Sequence, residues 1–179
     1  LFLTPPLKAW DSHGHHLAAN QMHAQTAGYI RQKKIAEVEA LDCRAMGYDW
    51  NEMLKQIEIR KPDAVFLGDQ LFSTCGAAVI WYFNEAMRLV KEKMPNVITV
   101  ASGLWYSADP ERQMRLNPWI DYIMIGEGEL TLEELLSNLQ AKKKDERDIA
   151  GLVSRRDKNT IVIGPHRGLI PDINILPTP

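Results

Sequence analysis

The sequence predicts an α/β fold in which helices cover both faces of a parallel sheet. A strand-then-helix pattern occurs five times along the chain, with roughly 30 residues per unit. In addition, residues 64–67 and 97–101 are continuously apolar, which is typical of strands buried on both faces. We therefore expect a doubly wound, five-stranded parallel sheet of the flavodoxin-like, Rossmann-type kind, with strand order 2-1-3-4-5. A C-terminal β-hairpin and an extended tail complete the predicted fold.

Each predicted strand is a short apolar segment bounded by turn residues. The first ends at Pro5-Pro6, and the fourth ends at Ser102-Gly103. The second alternates apolar and acidic side chains, which indicates an edge strand with one face in water. The predicted strands are residues 1–4, 36–41, 64–67, 97–101 and 122–125.

The predicted helices alternate with these strands and carry their own start and stop signals. Asp49, with Glu52 three positions later, is a variant of the capping box, and Pro62 ends that helix. Asp109 caps a short helix that has Pro110 at its first position. The other helices show apolar side chains at helical spacing. The predicted helices are residues 17–34, 49–61, 76–93, a short one from 110, and 130–140.

The pattern changes after Gly151. Two short segments, 152–156 and 160–163, flank a polar turn and predict a β-hairpin. Residues 165–179 contain four prolines and indicate an extended linker. The chain starts at Leu1 rather than Met, and we expect it to be a piece of a longer protein.

Composition limits the classes of function. A chain of 179 residues is long enough for one domain that folds without a disulfide or a metal. The net charge of −2 and the absence of a long apolar run give no support to a nucleic-acid or membrane partner. The two cysteines, Cys43 and Cys75, cannot complete a zinc or iron–sulfur site alone and favour a reducing, cytoplasmic location.

Candidate ligand chemistry lies in the loops that follow the strands. The carboxyl ends of parallel strands share one edge, where ligands of open α/β sheets bind. Glycine recurs in these loops, either to let a bulky ligand approach the backbone or simply to build tight turns. Trp105-Tyr106 could cover a flat ligand or pack under a neighbouring loop. The five loops are 5–16, 42–48, 68–74, 102–106 and 126–129.

Known nucleotide and hydrolase motifs are absent from the sequence. No Gly-x-Gly-x-x-Gly follows the first strand, no phosphate-binding Gly-x-x-x-x-Gly-Lys-Ser/Thr occurs, and no serine stands in a Gly-x-Ser-x-Gly elbow. The first loop carries His13, His15 and His16, which could bind a transition metal or could simply face solvent.

The most informative segment is Ile120-Asp-Tyr-Ile-Met-Ile-Gly-Glu-Gly-Glu129, followed by an amphipathic helix. Together with Pro5-Pro6, Leu41-Asp42, Lys61-Pro-Asp-Ala-Val65 and Ser102-Gly103, it resembles the cobalamin-binding domain at the N-terminus of cobalamin-dependent radical-SAM proteins. That group includes the anaerobic magnesium-protoporphyrin monomethyl ester cyclases and related methyltransferases. The tail, with Ile149-Ala-Gly-Leu-Val-Ser-Arg-Arg156, Ile170-Pro-Asp172 and Leu176-Pro177, also resembles that family.

The resemblance implies a division of the chain and a function. Residues 1–150 would form the cobalamin-binding domain, and residues 151–179 the hairpin and a proline-rich linker toward a radical-SAM domain. The three-cysteine motif of radical-SAM enzymes is absent, so the iron–sulfur cluster and S-adenosylmethionine would belong to that further domain. We expect no catalytic activity from this chain alone, and we expect cobalamin and its own C-terminal radical-SAM domain as partners.

The resemblance also implies the residues of the site. The nucleotide tail of cobalamin would enter the sheet edge between the first, third and fourth strands, and the corrin would lie over loops 42–48 and 68–74. Ser73 or Thr74 would bond the dimethylbenzimidazole end. The implied cofactor-binding residues are Pro6, Asp42, Arg44, Gly47, Ser73, Thr74, Ser102, Gly103, Gly126, Glu127 and Gly128.

One position departs from the pattern of cobalamin mutases. Their Asp-x-His-x-x-Gly, whose histidine ligates cobalt, corresponds here to Asp42-Cys-Arg-Ala-Met-Gly47. Arginine stays protonated and has no lone pair for cobalt, so Arg44 would contact a propionamide or form a salt bridge. Cobalt would then lack that ligand or take one of His13, His15 and His16. Two alternatives stay open: a flavodoxin-like interaction or sensor domain that has lost the cofactor, and a histidine-loop metal-binding protein.

Overall fold

The computed structural model describes residues 1–6, 20–68, 76–142, 148–157 and 160–177, without the side chains of 76–79. The strands are β1 (Phe2–Thr4), β2 (Ala40–Asp42), β3 (Ala64–Gly68), β4 (Ile98–Ser102), β5 (Tyr122–Met124), β6 (Leu152–Arg155) and β7 (Ile161–Ile163). The helices are α1 (Gln21–Gln32), α2 (Trp50–Arg60), α3 (Gly76–Lys93), α4 (Leu104–Ala108), α5 (Pro110–Leu116) and α6 (Glu129–Gln140). A single 3₁₀ turn, Ile173–Ile175, lies in the tail. Within the described residues, no helix is long and apolar enough to cross a membrane.

The strands form one mixed sheet with the order β2-β1-β3-β4-β5-β6-β7. Strands β1 to β5 pair in parallel, as in the register of Ala64 with Ile98. Strand β6 then pairs antiparallel with β5, with Tyr122 opposite Ser154, and β7 pairs antiparallel with β6. The predicted α/β class is confirmed. The sheet has seven strands rather than five because the hairpin joins it: residues Leu152 to Ser154 are buried and need a paired neighbour.

Two hydrophobic cores lie on opposite faces of the sheet. Along β3, Val65 and Leu67 point to one core, and Phe66 points to the other, as the alternation of a strand requires. The first core packs against α2 and α3, through side chains such as Met53 and Met87. The second packs against α1 and α6. The carboxyl ends of the parallel strands β1 to β5 lie together at one edge of the sheet.

The capping predictions hold at two helices. The Asp49 side chain accepts a hydrogen bond from the Glu52 N–H at 2.8 Å, and the Asp109 side chain accepts one from the Arg112 N–H at 3.2 Å. Pro110 stands at the start of α5, as predicted. Helix α1 begins at Gln21 behind an Asn20 cap, and the residues before Asn20 lie outside the described part of the chain.

Two element predictions were wrong. Strand β2 covers Ala40–Asp42 rather than residues 36–41, because β1 offers only three residues for pairing. Residues 104–106 were predicted as loop, but Leu104–Ala108 forms α4, since Gly103 turns the chain sharply before them.

The described part of the tail, residues 165–177, runs along the surface of the domain. The carbonyl of Pro165 accepts a hydrogen bond from the Gly151 N–H at 2.8 Å. Ile175 and Leu176 pack against the core beneath α1 and α6. Pro177 ends beside α1, with its Cγ 3.0 Å from the point where a Cβ on Gly28 would lie.

Candidate functional site

The strand ends bring most of the predicted site residues to one edge of the sheet. Because β1 to β5 are parallel, the loops after Thr4, Asp42, Gly68, Ser102 and Met124 all leave from this edge. We call it the carboxyl edge. The predicted residues found there are Pro6, Asp42, Arg44, Gly47, Ser102, Gly103, Gly126, Glu127 and Gly128. The predicted residues that lie outside the described part of the chain are Ser73, Thr74, His13, His15 and His16.

The loop after β2 is a compact turn built by its own residues. Asp42 Oδ1 accepts a hydrogen bond from the Ala45 N–H at 3.0 Å, so this carboxylate closes the turn. The Cys43 N–H donates to the Thr4 carbonyl at 2.9 Å and ties the turn to β1. Gly47 has a φ of +66°, and a Cβ there would meet no atom of the described residues within 4 Å. The backbone at Gly47 is therefore open to a ligand.

The loops after β4 and β5 pack directly on each other. Gly103 has φ 108° and ψ 176°, a region that essentially only glycine adopts. A Cβ on Gly128 would lie 3.6 Å from Ser102 Oγ and 2.6 Å from the end of the Met124 side chain. Gly128 and Ser102 are therefore in ordinary van der Waals range, and a Cβ on Gly128 would displace only the flexible end of the Met124 side chain.

Gly126 opens the same loop toward solvent. Its φ is +71°, and within the described part of the chain a Cβ on it would meet nothing within 4 Å. Its N–H donates to Ser107 Oγ at 3.1 Å, which ties the loop to α4. The sequence did not single out Ser107, because the segment around it was predicted as loop.

Both acids of the Gly-Glu-Gly-Glu segment bond to distant parts of the chain. Glu127 Oε2 accepts a hydrogen bond from the Ile170 N–H at 2.6 Å. Glu129 is 7% exposed, and its Oε1 accepts a hydrogen bond from Thr26 Oγ1 at 3.1 Å. These carboxylates connect the loop to the tail and to α1.

A buried histidine fastens α1 to the carboxyl edge. His23 Nε2 accepts a hydrogen bond from the Gly68 N–H at 3.0 Å. The ring lies edge-on to Phe2 and Phe66, with centroids 5.6 and 5.5 Å away. Burial lowers the pKa of His23 to about 3, so the imidazole is neutral and serves as an acceptor. The sequence patterns did not single out His23, although the cap at Asn20 three residues earlier is a local signal.

Of the two aromatic side chains after β4, one is buried and the other is partly exposed. Tyr106 is fully buried, and its hydroxyl donates to Asn84 Oδ1 at 2.9 Å beneath α3. Trp105 is 42% exposed. Leu104 and Met46, at the same edge, are 57% and 59% exposed. The carboxyl edge therefore presents apolar side chains to whatever binds there.

The environment of the Cys43 thiol favours its neutral form. Cys43 is fully buried, and burial together with the adjacent Asp42 raises its pKa to about 12. The thiolate needed for nucleophilic or metal chemistry is therefore disfavoured. Cys75 lies outside the described residues.

The described residues contain no group of three His, Cys, Asp or Glu side chains that could hold a metal ion. Of the two histidines among them, His23 uses its Nε2 for Gly68, and His166 lies in the tail. Arg44 occupies the position of the cobalt-ligating histidine in the mutase pattern and cannot ligate a metal. The open backbone at Gly47 and Gly126 beside exposed apolar side chains fits a corrin held without an imidazole from this part of the chain.

A cavity of about 590 Å³ opens at the opposite edge of the sheet. Its walls include Phe2, Ile98 and Leu135, near the amino ends of the strands and beneath α6. Charged side chains, Arg60 and Asp63 among them, lie at its rim. This cavity is separate from the carboxyl edge and contains none of the predicted site residues.

The fold and the carboxyl edge together define an α/β domain of the class whose ligands bind at the ends of parallel strands. A family model described as the B12 binding domain matches residues 14–136. The chain belongs to this family. Its homologues are cobalamin-dependent radical-SAM methyltransferases and a magnesium-protoporphyrin cyclase.

Two curated relatives and one solved structure show the similarity. The chain is 31% identical over 120 residues to the cobalamin-dependent radical SAM methyltransferase TokK of Streptomyces tokunonensis, covering 65% of this chain and 17% of that protein. It is 24% identical over 153 residues to the anaerobic magnesium-protoporphyrin IX monomethyl ester cyclase of Rubrivivax gelatinosus, covering 84% and 26%. The cobalamin-dependent S-adenosylmethionine radical enzyme OxsB with aqua-cobalamin bound superposes with a TM-score of 0.71 at 21% identity, covering 89% of this chain and 21% of OxsB. The chain thus spans about a sixth to a quarter of these proteins.

Proposed function

We propose that this chain is the cobalamin-binding module of a radical-SAM enzyme of the methyl-transfer or cyclase type. The observation that carries the proposal is the carboxyl edge of a B12-binding domain, where Gly47 and Gly126 leave the backbone open beside exposed Met46, Leu104 and Trp105. Such a surface matches the corrin, an apolar macrocycle with an amide rim. The apolar side chains would cover the face of the corrin, and backbone groups would bond its amide edge.

The nucleotide tail of cobalamin would pass between the ends of β1, β3 and β4. The Ser102–Gly103 turn and Gly128, which lie close to each other at the carboxyl edge, would border it. Ser73 or Thr74 would bond the dimethylbenzimidazole. The corrin would lie over the turn that begins at Asp42, whose carboxylate shapes the turn. Pro6, Arg44, Gly47 and Gly126 would complete the contacts.

Bound cobalamin supplies a cobalt centre that can carry a methyl group. This chain would hold and orient it and would shield one side of it from water. The iron–sulfur cluster and S-adenosylmethionine would belong to a further radical-SAM domain, which the relatives' names support. In that arrangement residues 1–150 form the cobalamin domain, and residues 151–179 lead toward the radical-SAM domain.

A spectroscopic titration tests the proposal directly. The purified chain is titrated with hydroxocobalamin and with methylcobalamin, and the ultraviolet–visible spectrum is followed. We expect saturable binding and a base-off spectrum, the spectrum of cobalamin whose benzimidazole does not ligate cobalt. A variant with His13, His15 and His16 all changed to alanine tests the predicted histidine loop. Loss of the spectral shift in that variant would place the axial ligand there, and an unchanged spectrum would remove those residues as ligands.

A gain-of-ligand variant tests where the corrin lies. Arg44→His restores an imidazole at the position of the mutase histidine, so the bound spectrum should change toward that of a histidine-ligated cobalamin. Arg112→His makes the same substitution at an exposed position of α5 and serves as the matched control. If cobalamin binds and Arg44→His leaves the spectrum as in Arg112→His, the corrin does not lie over the turn after β2.

A further inference from the structure

Residues 165–177, which we call the strap, run from the hairpin back across α6 to α1. Near its start, Arg167 Nε donates to the Ala150 carbonyl at 2.9 Å. The same guanidinium forms an ion pair with Glu134 of α6 at 2.8 Å, with the arginine side chain 13% exposed. The strap is therefore attached to the body of the domain by polar contacts as well as by apolar packing.

The midpoint of the strap is bonded to the carboxyl edge through Glu127. The Ile170 N–H donates to Glu127 Oε2 at 2.6 Å, which is a short hydrogen bond. Ile170 lies 43 residues from Glu127 in sequence, so this contact joins two separate segments. The carboxylate thus points along the outside of the domain toward the strap.

The backbone that carries Glu127 is fixed on both sides. Gly126 is bonded to Ser107 through its N–H, and Gly128 packs against Ser102. Any ligand that contacts the Ser102–Gly103 turn or the open face of Gly126 therefore restricts the backbone from which Glu127 extends. The position of the carboxylate is in this way determined by the same loop that would border the cofactor.

The C-terminal end of the strap contacts α1, the helix to which the loop Gly126 to Glu129 is also bonded. Pro177 contacts α1 at Gly28, and Thr26 of the same helix bonds to Glu129. Glu127 and Glu129, two positions apart, therefore connect the loop to the strap and to the helix on which the strap ends. The loop Gly126 to Glu129 is a junction of three segments of the chain.

We propose that Glu127 is a positioning residue that couples ligand occupancy at the carboxyl edge to docking of the strap, rather than a residue that contacts the cofactor. Occupancy of the edge would hold the loop and favour the docked strap. A docked strap would in turn favour the ligand, because coupling between two sites is reciprocal. The coupling rests on the proposed function, whereas the attachment of the strap by Glu127 does not.

Hydrogen exchange of the intact chain, followed by mass spectrometry on peptides from residues 165–177, measures strap release. Glu127→Ala removes the acceptor and should speed exchange of these peptides by about five- to tenfold without any ligand, because exchange follows the population of the open state. Glu127→Gln keeps an oxygen acceptor and should stay close to the wild-type chain. Glu92→Ala removes an exposed carboxylate of α3 that pairs with Arg88, and it should leave the strap unchanged.

The ligand arm uses hydroxocobalamin as the probe. Hydroxocobalamin should slow strap exchange in the wild-type chain but not in Glu127→Ala. The alanine variant should also bind hydroxocobalamin more weakly, by the factor by which the ligand slows strap exchange in the wild-type chain. Equal strap exchange in ligand-free wild-type and Glu127→Ala chains would show that Glu127 does not attach the strap. If hydroxocobalamin binds the wild-type chain and strap exchange stays unchanged, the proposed coupling is wrong. Failure of the wild-type chain and every variant to bind hydroxocobalamin would refute the proposed function and with it the coupling. The ligand-free comparison would still decide whether Glu127 attaches the strap.

Discussion

His23 and Gly68 form a contact between α1 and the end of β3, in which the histidine side chain bonds to the glycine backbone. His23 Nε2 accepts from the Gly68 N–H at 3.0 Å, and the Asn20 side chain donates to the Gly68 carbonyl at 3.5 Å. The first turn of α1 thereby satisfies both polar groups of the last residue of β3. Since Gly68 has no side chain, Met22 can pack directly on its backbone. The start of α1 is thus attached to the carboxyl edge.

This contact predicts a pH dependence of stability. Burial lowers the pKa of His23 from 6.5 to about 3, so between these values the unfolded chain binds a proton that the folded chain does not. The free energy of unfolding should therefore fall as the pH drops below 6.5, by about 2 kcal/mol at pH 5 from this residue. Denaturant unfolding at pH 7 and pH 5 measures the loss.

Glu and Asp residues also titrate in this range, so a matched variant isolates the histidine. His23→Gln offers an amide oxygen to the Gly68 N–H and has no proton to bind. The variant should be less stable than the wild-type chain at pH 7 and should lose less stability on going to pH 5. An equal loss in the two proteins would show that His23 is not the group responsible.

Local signals account for the parts of the structure that the sequence predicts. The caps at Asp49 and Asp109 depend on residues three positions apart, and the apolar runs at β3 and β4 reflect burial on both faces. The predicted glycines of the carboxyl edge are found there because parallel strands end together. The apolar segment at β6 predicts a strand, but its pairing with β5 depends on contacts across about 30 residues of sequence.

The partners of Glu127 and Glu129 could not be predicted for the same reason. Thr26 lies 103 residues from Glu129, and Ile170 lies 43 residues from Glu127. A glutamate in a strand-end loop has the same local pattern whether it binds a ligand or another segment. The sequence therefore indicates where the loop is, and only the three-dimensional contacts show what its acids do.

Gly103 should tolerate substitution less well than Gly47. Gly103 has φ 108° and ψ 176°, where an L-residue costs about 1–3 kcal/mol, whereas Gly47 has a φ of +66° in the left-handed helical region, where the cost is about 1–2 kcal/mol. A Cβ on Gly47 meets nothing within 4 Å, so no steric cost is added. Gly103→Ala should therefore lower the midpoint of urea unfolding more than Gly47→Ala. The reverse order would contradict the backbone geometry at the end of β4.

The buried bond between Thr26 and Glu129 should appear in a double-mutant cycle. Thr26→Val keeps the shape of the side chain but leaves a buried carboxylate oxygen without its donor, so the free energy of unfolding should fall by about 1–3 kcal/mol. Glu129→Met removes the acceptor with a side chain of similar length. The double variant should lose about 1 kcal/mol less than the sum of the two single variants. Strict additivity in urea unfolding would show that the two side chains are not coupled.

Gly164 and Gly168 provide a matched test of how tightly the hairpin is built into the sheet. A Cβ on Gly164 would lie 2.1 Å from the Ile149 carbonyl oxygen and 3.0 Å from the Leu152 carbonyl oxygen. Both are backbone atoms, so Gly164→Ala must shift the chain at the end of β7. The shift also strains the hydrogen bond from the Gly164 N–H to Leu152, and we expect a loss of about 3 kcal/mol.

Gly168 lies four residues further on, and a Cβ there would meet nothing within 4 Å. Gly168→Ala should therefore change the free energy of unfolding by less than about 0.5 kcal/mol, or raise it slightly by restricting the unfolded chain. Urea unfolding of the two variants measures the difference, with equal slopes as the sign of a single cooperative unit. If Gly164→Ala unfolds at the same urea concentration as Gly168→Ala, the hairpin does not pack against the segment 149–152. If Gly164→Ala instead produces a separate early transition, the hairpin unfolds independently of the sheet that β6 joins.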